Sequence, residues 1–315
     1  IDKYVRHIEM NPASVSPALP LAATRCFLSL AVILLLTAIG PSPAKAQTAV
    51  YDAVDKEHFR VCADPHNMPF SNKAGEGLEN KIAQLIADKL GVPLVYEWYP
   101  RITARFVRDT LIAKKCDIII GTGSGDPSVQ NTNPYYKTGY VMVYPKDLGL
   151  KLDRVDHPEM AHLKIGGVAG TPPVDQLARY KLLSRMRSYP LRYDTQKGSV
   201  AEQMILDMQS GLIDVAYMMR PNAHYFSKKH GIDVEIVSLE SIDFKRGRLN
   251  FMITMGIRPN ELDWKRKINR LLRENKTEID AILAEYGIPP MKRSGGRRGS
   301  NDKTDTKPAG DDSAK

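Results

Sequence analysis

Asp117-Ile118-Ile119-Ile120-Gly121 is the stretch whose reading decides the fold. It is an apolar run too short for a helix, opened by an acid and closed by a glycine. Unbroken runs of this kind belong to strands buried on both faces of a parallel sheet. Upstream, Glu57 to Asp64 reads as a strand that ends in a polar loop over 65–77. Ile82, Leu85, Ile86 and Leu90 then recur at three-to-four spacing, and Gly91 stops that helix. Leu94 to Tyr99 is a second strand, and Phe106, Val107, Leu111 and Ile112 mark a second helix. The unit is β-α-β-α-β, which predicts a right-handed, mainly parallel α/β sheet.

Downstream the pattern restarts without repeating the sequence. Val141 to Tyr144 is a strand, and Leu163 to Val168 is another that runs into Gly170-Thr171-Pro172-Pro173. Thr171 is placed to cap the next helix, with Pro172 at its first position. Leu177, Tyr180 and Leu183 lie on that helix, and Leu191-Arg192-Tyr193 is read as a short strand. Val200, Met204, Ile205, Met208 and Leu212 form a helical stripe before the buried strand Asp214 to Met219. Asn250 to Ile257 is a late strand, followed by two helical segments. The expected organisation is a first lobe of 47–145 plus 250–291, a second lobe of 146–249, and a disordered basic tail over 292–315. Ligands of open parallel sheets sit beyond the carboxyl ends of the strands. Asp64 to Phe70, Gly121 to Gly125, Gly170-Thr171 and Met219 to Pro221 would then line one cleft.

The chain has 315 residues, 43% apolar and 26% charged, which excludes a wholly disordered polymer. Of the formal charge of +9, the tail holds +3 (seven basic, four acidic) and residues 1–46 hold +2 (four basic, two acidic). The body keeps +4, too mild a basicity for a nucleic-acid protein. The apolar run from Cys26 to Ile39 follows Arg25 and precedes Gly40-Pro41-Ser42-Pro43 and Ala44-Lys45-Ala46. It is shorter than the roughly 20 residues of a membrane span. It reads as a signal peptide cut after Ala46, with a membrane anchor as the alternative. Met10 is a more natural initiator than Ile1, so residues 1–9 are not expected to be native. The mature chain is expected in the periplasm, with no membrane insertion after cleavage. Cys62 and Cys116 then remain in an oxidising compartment, either as a disulfide or as two buried thiols.

Several segments carry a family resemblance. Val61-Cys62-Ala63-Asp64-Pro65, Met68-Pro69-Phe70-Ser71-Asn72 and Gly75-Glu76-Gly77-Leu78-Glu79-Asn80-Lys81-Ile82-Ala83 resemble the opening of type II periplasmic solute-binding proteins. Cys116 to Gly121, Asn133-Pro134-Tyr135-Tyr136 and Gly211 to Ala216 continue the likeness, which spans about 57–290. The cysteine-containing opening, the Glu79-Asn80-Lys81 helix start and Thr171-Pro172-Pro173 resemble the MxaJ/XoxJ type. Such proteins are encoded beside PQQ-dependent methanol dehydrogenases in methylotrophs. One departure is Met218-Met219-Arg220-Pro221, where a Trp-Gly-Pro type segment would be expected. The resemblance implies a two-lobed α/β binding fold. It also implies an accessory role by contact with that dehydrogenase or its cytochrome.

The chemistry of the residues bears on that role. Amino-acid-binding relatives place an Arg after the third strand and an acid after the last strand of the second lobe. Here Gly121 to Gln130 holds no Arg or Lys, and Met218-Met219-Arg220 holds no acid. A buried zwitterion without partners costs several kcal/mol, so amino-acid capture is not expected. The candidate cleft residues are Asp64, Met68, Phe70, Thr122, Ser124, Thr171, Tyr217 and Arg220. Trp98, Tyr99, Tyr135 and Tyr136 would make aromatic cleft walls, with packing beneath the loops as the alternative for Trp98 and Tyr136. The histidines form no metal signature, the glycines of 121–125 lack a phosphate-loop ending, and no nucleophile motif appears. No catalytic residue and no cofactor is therefore expected. A transport protein for another small solute, and a lyase using Asp64, Glu76 or Glu97, stand as the two alternatives.

Overall fold

The computed structural model describes residues 54–102, 104–239 and 248–291. The expected signal peptide and tail lie outside the described residues. Strand β1 (Phe59–Ala63) runs parallel to β4 (Leu94–Trp98), with Phe59 opposite Leu94 and Ala63 opposite Trp98. On its other side Val61 bridges to Ile118 in parallel, and the Cys62 N–H donates to the Ile118 carbonyl at 2.9 Å. That leads into β5 (Ile119–Gly123), where the isoleucine run is fully buried. Between β1 and β4 come two-residue strands β2 (His66–Asn67) and β3 (Ser71–Asn72), which pair with each other, and helix α1 (Leu78–Leu90). The helix buries Leu78, Ile82, Ala83 and Ile86 against the sheet and ends at Gly91, whose φ of +71° is the left-handed stop that glycine adopts freely.

After β6 (Gln130–Asn131), β7 (Tyr136–Pro145) serves two cores. Its first residues pair antiparallel with β12 (Asn250–Ile257), Tyr136 opposite Ile253 and Gly139 opposite Asn250. Its later residues pair with β10 (Val215–Met219) on one side and β11 (Val234–Ser238) on the other. Alternation then sends Met142 and Tyr144 into one apolar cluster and Val141 and Val143 into another. Val141 to Tyr144 therefore belong to the second lobe's core, and the change of lobe falls inside β7, ahead of the expected boundary at 145. In the second lobe, β10, β8 (Ile165–Val168) and β9 (Met186–Tyr189) are parallel neighbours. Helices α2 (Pro172–Arg179), α3 (Val200–Gln209) and α4 (Arg220–Lys229) complete it. Helices α5 (Leu262–Glu274) and α6 (Lys276–Glu285) return to the first core. Each lobe thus has parallel strands flanked by helices, with antiparallel β7 and β12 added at the crossover.

Three local expectations are corrected. The second helix of the first lobe is a π-type turn, Arg108–Ile112, with Phe106 and Leu111 buried but Ile112 44% exposed. The strand expected at Leu191 to Tyr193 is instead Met186–Tyr189, in register with Ile165 to Val168. Pro190 has no N–H to extend that ladder, so Leu191 and Tyr193 are left 60% and 39% exposed. The stripe of α3 stops short of Leu212, which is 51% exposed.

Cys62 and Cys116 are disulfide-bonded, with Cα atoms 5.5 Å apart, beside buried Phe106, Leu111, Ile119 and Val129. The bond closes a loop with a sequence separation of 54, for which chain-entropy arithmetic gives roughly 4 kcal/mol. Replacing both residues (Cys62→Ala with Cys116→Ala) should lower the urea-unfolding free energy by about 2–5 kcal/mol. Alkylation of the exported chain, unfolded in urea without reductant, should label neither position. Labelling of both would show that the thiols are free in the cell.

Candidate functional site

The site grows from the carboxyl end of β1. Asp64 follows the last residue of that strand and is 1% exposed. Its Oδ1 accepts the His66 N–H at 2.8 Å, and its Oδ2 accepts the Arg101 N–H at 2.7 Å. A third donor arrives from the other lobe: Thr195 Oγ1 lies 3.2 and 3.3 Å from the two carboxylate oxygens. Thr195 opens a short 3-10 turn (Thr195–Lys197) started by Asp194, whose carboxylate accepts the Gln196 N–H at 3.1 Å. A buried charge is tolerable only when its lone pairs are met, and here both lobes meet them.

A second charged pair lies beside it. Glu79, in the first turn of α1, is 5% exposed and has Arg101 Nη1 3.5 Å from Oε1. Arg101 also donates through Nη2 to the Gly121 carbonyl and sits over the Phe106 ring at 5.5 Å. A Cβ on Gly121 would collide with the Glu79 carboxylate, so a larger residue here would displace Glu79 from its place beside Arg101. Burial raises the Glu79 pKa, and Arg101 pulls against it. Tyr135 and Tyr136, neighbours of this pair, are buried, and burial pushes both phenols far up. The Tyr135 hydroxyl donates to the Ile120 carbonyl at 2.9 Å. They are packing residues beneath the loops rather than cleft walls.

The expected cleft residues fall in separate places. Met68 is half-buried and packs on the second lobe's core. With His66 and Asn72 it faces Thr195 to Ser199, Glu202 and Lys229 across a pocket of about 320 Å³. Phe70 packs on the first core. Thr122 is buried, and its hydroxyl meets Thr254 Oγ1 at 3.0 Å, turned into the sheet. Ser124 is exposed, with its N–H donated to the Met252 carbonyl at 2.8 Å. Thr171 does not cap α2 through its side chain, because its hydroxyl turns back to the Val168 carbonyl at 2.6 Å. Arg220 opens α4, bonds Ser238 Oγ at 2.5 Å, and lines a pocket of about 180 Å³ with Lys137, Tyr140 and Asn250. Burial lowers its pKa.

Tyr217 is a correction: it is 2% exposed and its Oη reaches Met142 Sδ at 3.5 Å inside the second core. Strand β10 lies between β7 and β8, and its alternation aims that ring away from solvent. Glu76 and Glu97 do not join Asp64, since Glu76 takes Asn72 Nδ2 at 2.8 Å and Glu97 lies 3.5 Å from Lys115 Nζ. Sequence reasoning missed Arg101, the pairing of Glu79 and the reach of Thr195. Arg101 stands three residues past Trp98, the carboxyl end of β4, so the rule applied to other strand ends would have found it.

Two α/β lobes joined by crossing strands, with strand-end loops meeting around a shared pocket, define a binding protein of the solute-binding class. The chain belongs to the bacterial extracellular solute-binding proteins, family 3, whose family model matches residues 59–288. It is 40% identical to the periplasmic binding protein XoxJ from Methylobacterium extorquens, covering 74% of this chain and 99% of that one at a TM-score of 0.63. It is 27% identical to MxaJ from Methlophaga aminisulfidivorans, covering 74% and 100% at a TM-score of 0.64. It is 26% identical over 287 residues to protein MoxJ of Methylorubrum extorquens, covering 86% of this chain and 95% of that protein.

Two outcomes follow from this geometry. Thr195→Val removes the one side-chain donor that crosses to Asp64 among the described residues, so the distance between labels on the two lobes should lengthen or broaden. Spin-label distance measurement reads it, and an unchanged distribution would show that the contact does not hold the lobes. Glu79 keeps its proton in the folded chain at pH values where the unfolded chain has lost it. Stability from this residue is therefore full below the ordinary value of 4.5 and falls as pH rises through the raised folded value. Glu79→Gln should flatten that fall in urea midpoints measured from pH 4.5 upward.

Proposed function

We propose that the protein is an accessory component of a PQQ-dependent methanol dehydrogenase system, exported to the periplasm and acting by protein contact rather than by catalysis. The carrying observation is that the charged groups at the lobe junction are met by the chain itself. Asp64 is held by two backbone N–H groups and Thr195, and Arg101 by Glu79 and the Gly121 carbonyl. A zwitterionic solute would have to break those pairs before making its own, and each unpaired buried charge costs several kcal/mol. The likeness to XoxJ, MxaJ and MoxJ supports the same reading. The partner is the dehydrogenase or its cytochrome. Capture of a small solute is favoured by one observation, the polar-lined pocket of about 320 Å³ between the lobes.

Deleting the gene should lower dehydrogenase activity or assembly in the periplasm and leave solute uptake unchanged. Unchanged dehydrogenase with loss of uptake of one solute would make the protein a transport component. Calorimetric titration against the common amino acids should give no binding heat at micromolar protein, and a low-micromolar dissociation constant would overturn the contact reading.

A further inference from the structure

We infer that the outer face of the second lobe around residues 190–206 is the docking surface for an acidic segment of a partner protein, one that presents a single aliphatic or aromatic side chain. The inference deepens the contact reading above and rests on it. Four features meet there. Leu191, Tyr193 and Leu206 are 60%, 39% and 37% exposed, which is unusual for three large apolar side chains along one short stretch of surface. Tyr193 and Leu206, with Pro190 and Val200, line a pocket of about 220 Å³, room for one large side chain. Strand β9, which leads into this stretch, ends the sheet, with Arg187 and Ser188 exposed.

Charge selects the partner. Residues 181–198 hold five basic side chains (Lys181, Arg185, Arg187, Arg192, Lys197) against one acid, Asp194, which caps its own turn. The nearby acids are already engaged: Asp207 by Tyr189 at 2.6 Å and Arg187 at 3.1 Å, Glu202 by Lys229 at 2.7 Å and His230 at 2.8 Å. Arg192 and Lys197 are exposed and have no ion pair among the described residues. Lys197 lines the pocket beside Gln203 and the already paired Glu202, and exposed Arg192 stands between Leu191 and Tyr193, so the charge left to a partner along this stretch is positive and complements a carboxylate-rich segment. Phosphate backbones and anionic lipids share the charge, but neither supplies the side chain that the pocket would take.

The test uses the full exported chain. Binding to purified methanol dehydrogenase is measured by interferometry at low and moderate salt. Arg192→Glu with Lys197→Glu should weaken it about tenfold or more and reduce its salt dependence. Leu191→Ser with Tyr193→Ala should weaken it about fivefold. Val95→Ser with Ile112→Ser, equally exposed apolar sites on the first lobe, should stay within about twofold. If the first-lobe pair weakens binding and the second-lobe variants do not, the surface is wrong while the contact reading stands. A second measurement separates the two when the dehydrogenase does not bind. A benzophenone amino acid in place of Tyr193 is irradiated in the native host and its adduct identified by mass spectrometry. An adduct with another acidic periplasmic protein upholds the surface and overturns the dehydrogenase. No adduct, or one with lipid, overturns the surface.

Discussion

The carboxylate of Asp117 organises the first lobe. It is fully buried and receives Arg60 through Nε and Nη2 at 2.8 Å each, Arg258 Nη2 at 2.7 Å, and the Asp55 N–H at 3.3 Å. Its own carbonyl accepts Trp264 Nε1 at 3.2 Å, and Arg258 turns its other amino group to the carbonyls of Leu111 and Cys116. Asp117 therefore ties β1, its own entry to β5 and the end of β12 through its carboxylate, and α5 through its main-chain carbonyl. Removing one member of such a set strands a buried charge, at about 3–5 kcal/mol, whereas the complete set roughly breaks even. Its value lies in fixing register. With Asp117 held, β1 and β5 deliver Asp64 and Gly121 side by side at the other end of the sheet.

The lobes are joined by more than the crossing strands. Met68 of the first lobe packs on the second core, and Tyr225 of α4 packs on both cores. The Tyr225 ring stacks on Tyr286 with centroids 6.3 Å apart, and the Tyr286 hydroxyl donates to the Glu76 carbonyl at 2.5 Å. These contacts flank the Thr195–Asp64 bond. Each is small, but a hydrogen bond to a buried carboxylate contributes about 1.5–3 kcal/mol, enough to set which arrangement of the lobes predominates.

Much of this architecture was legible in the residues. The isoleucine run, the stripe of α1 and the apolar β10 each carried one unambiguous period, and the resemblance led to the family. The site was less legible. Thr122, Thr171 and Tyr217 sit near strand ends as expected, yet alternation and local hydrogen bonds turn them inward, and a run buried on both faces does not say which side a residue takes. Thr195 gave no signal, because its role depends on a contact 131 positions away in the chain. The strand at Met186 was hidden by a more apolar neighbour, Leu191, that solvent retains. The sequence allows the cysteines to be a disulfide or two buried thiols, because nothing local to either one sets the 5.5 Å separation of their Cα atoms.

The turn from Thr195 to Ser199 has a consequence for control. Thr195 fastens the lobes, while Lys197, Gly198 and Ser199 border both the inter-lobe pocket and the outer pocket of the second lobe. A partner that displaced the outer side of this turn would also displace the hydroxyl that Asp64 accepts. Linkage would then make the effect reciprocal, with separation of the lobes altering the outer pocket's affinity by the same factor. Occupancy outside and posture inside would be two readings of one equilibrium.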